Sequence, residues 1–80
     1  ARHRITVNCI SPGPFPSKMT AFALDNESGR QMMEKQVPLG RIGRAEDIAG
    51  LVIYLCSPSG SFMTGNVIPL DGGILVKAYP

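Results

Sequence analysis

Apolar residues stand at positions 5, 7, 9 and 10 of Ile5-Thr6-Val7-Asn8-Cys9-Ile10. The segment is rich in β-branched residues with apolar side chains on both faces, which predicts a buried strand ending at Ser11-Pro12-Gly13, where proline and glycine interrupt a ladder. Ser17 to Leu24 predicts a short helix with Ser17 as its N-cap, closed by Asp25-Asn26. Glu27 to Val37 predicts a second, weakened by Gly29, which costs about 1 kcal/mol relative to alanine inside a helix. The pattern is clearest after the turn-rich linker Pro38 to Arg44. Ala45-Glu46-Asp47 places acids in a first helical turn. Ile48, Leu51, Val52 and Leu55 then follow i, i+3, i+4, i+7 spacing, with Ala49, Ile53 and Cys56 continuing the apolar surface. At about 100° per residue the apolar arc spans roughly 260°, far beyond the stripe of about 100° that a surface helix needs. Two faces of this helix therefore require burial. Ser57-Pro58 stops it, and Asn66 to Leu70 predicts a second strand, with Pro69 restricting it to an edge or a bulge before Asp71-Gly72-Gly73.

The order strand, helices, strand implies a right-handed crossover between parallel strands, an α/β unit. Two strands make a poor sheet, so further strands and a covering helix layer are expected. The sequence opens on the basic run Ala1-Arg2-His3-Arg4, which suits the last turn of a helix, and we expect the chain to be part of a longer one. In 80 residues, 44% hydrophobic and 18% charged, the composition is globular, with at most one core. A net charge of +2 gives no electrostatic footprint for nucleic acid. No run is long and apolar enough for a membrane span, no signal peptide is evident, and a cytoplasmic location is the default. Cys9 and Cys56 read as small core residues, and with His3 they make no metal constellation.

In a doubly wound sheet ligands bind beyond the carboxyl ends of parallel strands, which singles out Ser11-Pro12-Gly13-Pro14-Phe15-Pro16-Ser17. Gly13 lets a flat ligand approach the backbone, the prolines stiffen the loop around Phe15, and Ser17 adds a hydroxyl. The plainer alternative is a rigid turn with a capping serine. Arg41 and Arg44 are expected to pair with Glu46 or Asp47 at the helix entrance rather than contact a carrier protein, and Asp71 to shape the strand exit.

Ile5 to Gly13 with its Val-Asn-x-x-x-Pro-Gly ending, Pro38 to Ala49, and Thr64-Gly65-Asn66-Val67-Ile68-Pro69-Leu70-Asp71-Gly72-Gly73 together resemble the C-terminal part of the short-chain dehydrogenase/reductase family. Phe15 to Thr20 and Gly65 to Pro69 are most similar to its bacterial 3-oxoacyl carrier-protein reductases. The resemblance implies that residues 1–80 are the C-terminal segment of one Rossmann domain, a doubly wound parallel sheet binding NAD or NADP. It implies a nicotinamide site, with Pro12 and Gly13 against the ring and the Phe15 backbone on the carboxamide. Ser17 would stand where the family usually has threonine. Met19 and Phe22 would begin a mobile lid over a small carbonyl or alcohol substrate. The family's glycine-rich phosphate loop and its catalytic Ser, Tyr and Lys have no counterpart here: Tyr54 has Pro58 four residues on, and Tyr79 lies beside the terminus. The chain alone is therefore expected to be inactive. Ile48 to Cys56 and Val67 to Leu70 would join copies in a dimer or tetramer. The alternative is a non-catalytic module that binds another subunit through the same helix and strand.

Overall fold

The computed structural model describes residues 1–77, so the remark on Tyr79 falls outside the described residues. In chain order the elements are β1 (Cys9–Pro12), α1 (Ala21–Leu24), α2 (Glu27–Lys35), α3 (Ala45–Cys56) and β2 (Val67–Leu70). Single 3-10 turns follow α3 at Pro58–Gly60 and β2 at Ile74–Val76. The strands pair in parallel, with Cys9 opposite Val67 and Pro12 opposite Leu70, so all three helices lie within one crossover.

β1 starts and ends later than its apolar pattern predicts. Asn8 explains the late start, because its amide takes over backbone partners: Nδ2 donates to the Met63 carbonyl at 2.9 Å and Oδ1 accepts the Asn66 N–H at 3.2 Å. Gly65 N–H meets the Val7 carbonyl at 2.8 Å, so residues 5–8 run beside the approach to β2 without a regular ladder. At the other end Pro12 does not stop the strand. Cys9 N–H donates to Asn66 and Gly13 N–H to Leu70, so alternate residues of β1 face β2 and the Pro12 nitrogen points to the outer edge. The same alternation puts Pro69 on the outer edge of β2, where its missing donor costs no ladder bond.

The helical segment after the loop is also shorter than predicted. Ser17 is not its cap: α1 begins after Thr20, and residues 17–20 form a turn closed by Thr20 N–H on the Ser17 carbonyl at 3.2 Å. Asn26 caps α2 by accepting the Gly29 N–H at 2.7 Å. Gly29 is not merely a weak point, since a Cβ there would collide with the Ala23 carbonyl oxygen, and its bareness lets α1 and α2 meet.

Among the described residues Val37 and Ile42 are the only buried apolar side chains, and both lie between α2 and α3 rather than on a strand or helix. The strand region expected to be buried is exposed, with Ile5 at 64% and Val7 at 72%, because no layer of the described residues covers it. Cys9 and Cys56 are exposed free thiols for the same reason, not core residues. On α3, Ile48, Leu51 and Leu55 of the predicted stripe are half-buried, whereas Val52, its fourth member, is exposed together with Ile53 and Tyr54, so the covered face is narrower than the spacing predicts. Residues 1–4 form a single turn, Arg4 N–H to the Ala1 carbonyl at 2.9 Å, in place of the expected helix end. No helix among the described residues is long and apolar enough to cross a membrane.

Candidate functional site

The loop leaving the carboxyl end of β1 is held on three sides. Gly13 lies so close to Asp71 that a Cβ would stand 2.8 Å from its Cα, and Gly13 N–H is committed to Leu70 at 2.9 Å. Gly43 N–H donates to the Pro14 carbonyl at 2.9 Å, and the Phe15 ring lies where a Cβ on Gly43 would be. Thr20 completes the clamp: its Oγ1 donates to the Phe15 carbonyl at 2.9 Å and accepts the Ser17 N–H at 2.9 Å.

These bonds leave little free. Pro12, Pro14 and Pro16 have no N–H, and that of Gly13 points into the sheet. The Phe15 N–H is thus the one backbone donor of residues 12–16 with no partner among the described residues. Two residues on, the exposed Ser17 carries a hydroxyl 3.3 Å from that of Thr20. A rigid surface with one amide donor and one hydroxyl suits a planar ligand bearing an amide, and the missing Cβ of Gly13 suits close approach. Pro12 at the end of β1 and Gly13, Phe15 and Ser17 in the loop after it thus lie on one short stretch of chain. Met19 and Phe22 lie outside this loop, 85% and 78% exposed, on the approach to α1 and on α1 itself.

A cavity beside the loop has Phe15, Val37, Leu39 and Leu70 in its lining together with the charged Arg41 and Asp47. Arg41 grips both Asp47 oxygens, at 2.9 and 3.2 Å, and also donates to the Ile42 carbonyl at 3.1 Å. Asp47 in turn accepts the Arg44 N–H at 2.7 Å at the start of α3. The Arg41 bond first, and the Arg44 N–H second, pull the Asp47 carboxyl down to about 2. With Arg44 3.9 Å from Glu46, the arginines do what the helix-entrance reading expects. Asp71 likewise shapes the strand exit, accepting the N–H groups of Gly73 at 2.9 Å and Leu75 at 3.0 Å.

Thr20 and Gly43 are neighbours of the candidate site that sequence reasoning passes over. A threonine three residues beyond Ser17 is a legible sign of a side chain closing a turn, whereas the Phe15 ring over Gly43 joins positions no local pattern connects.

The sequence model of the family described as enoyl-(acyl carrier protein) reductase matches residues 1–75. Over 69 residues the chain is 46% identical to the rhamnolipids biosynthesis 3-oxoacyl-[acyl-carrier-protein] reductase of Pseudomonas aeruginosa, covering 86% of this chain and 27% of that one. Among solved structures it superposes on the RhlG/NADP active-site complex of Pseudomonas aeruginosa with a TM-score of 0.81 and 46% identity, covering 88% of this chain and 28% of the other. It is also similar to an NADP-bound 2-deoxy-D-gluconate 3-dehydrogenase candidate from Agrobacterium tumefaciens, with a TM-score of 0.79 and 32% identity over 91% of this chain and 30% of the other. The chain spans between 27% and 30% of the first curated relatives it matches.

Proposed function

The chain belongs to the short-chain dehydrogenase/reductase family and forms part of a Rossmann domain, and from that premise we propose that it is the C-terminal segment of an NAD(P)-dependent oxidoreductase acting on a carbonyl or alcohol. In this reading Pro12 and Gly13 form the floor under the nicotinamide, the Phe15 N–H donates to its carboxamide oxygen, and Ser17 meets the carboxamide nitrogen. The observation that carries it is the uncommitted Phe15 N–H in a loop whose other backbone donors are removed by proline or tied into the fold. When bound, the dinucleotide supplies the hydride donor or acceptor. The chain's own residues bind and orient: prolines and the Gly43 contact hold the loop rigid, so little ordering entropy is lost when the ring docks. Met19 and Phe22 offer exposed apolar surface on the substrate side as a lid.

No described residue is assigned proton transfer. Tyr54 stands on α3 with Pro58 four residues later, and the larger part of the enzyme is proposed to supply the acid and base. The chain by itself is accordingly proposed to be inactive, and the complete enzyme to be cytoplasmic. Association of copies through the outer face of α3 and the edge of β2 belongs to the same proposal, supported by Ile53 and Val67, each 68% exposed. Those exposed residues equally support a second reading, a non-catalytic module bound to another subunit.

Calorimetric titration of the complete polypeptide with NADP+ and NAD+, followed by a turnover assay with NADPH and small ketones, tests the proposal. Saturable binding of at least one cofactor and carbonyl-dependent oxidation of NADPH or NADH support the enzyme. Absence of cofactor binding, with retained association with another subunit, supports the module instead.

A further inference from the structure

The Thr20 hydroxyl has several neighbours and a single proton. The Phe15 carbonyl is 2.9 Å away, and the Ser17 carbonyl and Ser17 Oγ are each at 3.3 Å. The Ser17 carbonyl already accepts the Thr20 N–H at 3.2 Å, so the shorter bond to Phe15 takes the proton. Thr20 Oγ1 is left as an acceptor. It receives the Ser17 N–H at 2.9 Å, and it also draws in the Ser17 hydroxyl proton. With that proton directed at Thr20, the remaining lone pairs of Ser17 Oγ face away from it. The loop then presents one donor, the Phe15 N–H, and one acceptor, Ser17 Oγ, which is the complement of a primary carboxamide.

We infer that Thr20 is a positioning residue that sets the hydrogen-bond polarity of this subsite, so that it accepts a carboxamide and rejects the corresponding carboxylate. The inference rests on the nicotinamide reading of the loop. It also ties the subsite to the neighbouring helix, because the Thr20 carbonyl accepts the N–H groups of Ala23 and Leu24, each at 3.0 Å, at the start of α1.

The test is calorimetric binding to the complete polypeptide of NADP+ and of its nicotinic-acid analogue, which carries a carboxylate in place of the carboxamide. The wild type is expected to prefer the carboxamide by tenfold or more, about the effect of one unmatched polar contact. Thr20→Val removes the hydroxyl and frees the Ser17 proton to turn towards the ligand, so the preference should fall to within about threefold. Thr20→Ser should keep it. Thr20→Ala, with no branched side chain to accommodate, is a second deletion with the same expectation. A merely structural role would weaken both ligands equally. Preserved discrimination in a folded Thr20→Val or Thr20→Ala variant therefore overturns the inference while leaving the nicotinamide reading intact. Failure of the wild type to bind either dinucleotide overturns both.

Discussion

Asp47 does its work through three bonds, two from Arg41 and one from the Arg44 N–H, and its carboxyl is lowered from 3.8 to about 2. Because the folded form holds this proton less tightly than the unfolded chain, the resulting stability is fully present above about pH 3.8. It is lost as pH falls towards 2. Asp47→Asn should flatten the acid limb of a circular-dichroism titration of the complete polypeptide between those values, and an unchanged limb would contradict the role. Gly43 offers a second test at this scale: a methyl group there must displace the Phe15 ring. Gly43→Ala is expected to weaken cofactor binding about tenfold or more, as a misplaced contact of about 1.4 kcal/mol does, and unaltered affinity would separate the ring from the site. The loop that leaves β1 at Pro12 and Gly13 was legible in the sequence because proline and glycine act locally. Ser17 does not cap a helix as its spacing predicts, because the same spacing serves a turn closed by Thr20.

Among the elements, the parallel strands and α3 follow from β-branched runs and from i, i+3, i+4, i+7 spacing. Their limits do not. Asn8 enters the backbone pairing with its side chain, and Pro12 turns its nitrogen outward, events invisible to a count of apolar residues. The contact between α1 and α2 reverses an expectation drawn from propensity. Intrinsic preference says Gly29→Ala should stabilise α2 by about 1 kcal/mol. The overlap with the Ala23 carbonyl says it should destabilise the hairpin by about 1–3 kcal/mol, the usual cost of overpacking. Denaturant midpoints of the two proteins decide between them, and a raised midpoint in the alanine variant would mean α1 yields freely.

For the molecule as a whole, the exposure of Ile5, Val7, Ile53 and Val67 says that the described residues form a sheet and a helix without their covering layers. That deficit was legible from the doubly apolar helix and the lone strand pair. Which residues would remain uncovered was not, because burial is a property of neighbours. Ile53→Glu should shift the complete protein towards smaller species on a sizing column, and an unaltered elution volume would remove α3 from the interface. The most direct test of the nicotinamide site is the amide resonance of Phe15 in the complete polypeptide, followed by NMR through a titration with NADP+. The resonance should move downfield and its proton become protected from exchange as the cofactor saturates; saturation with the Phe15 amide unshifted and still exchanging would contradict the assignment.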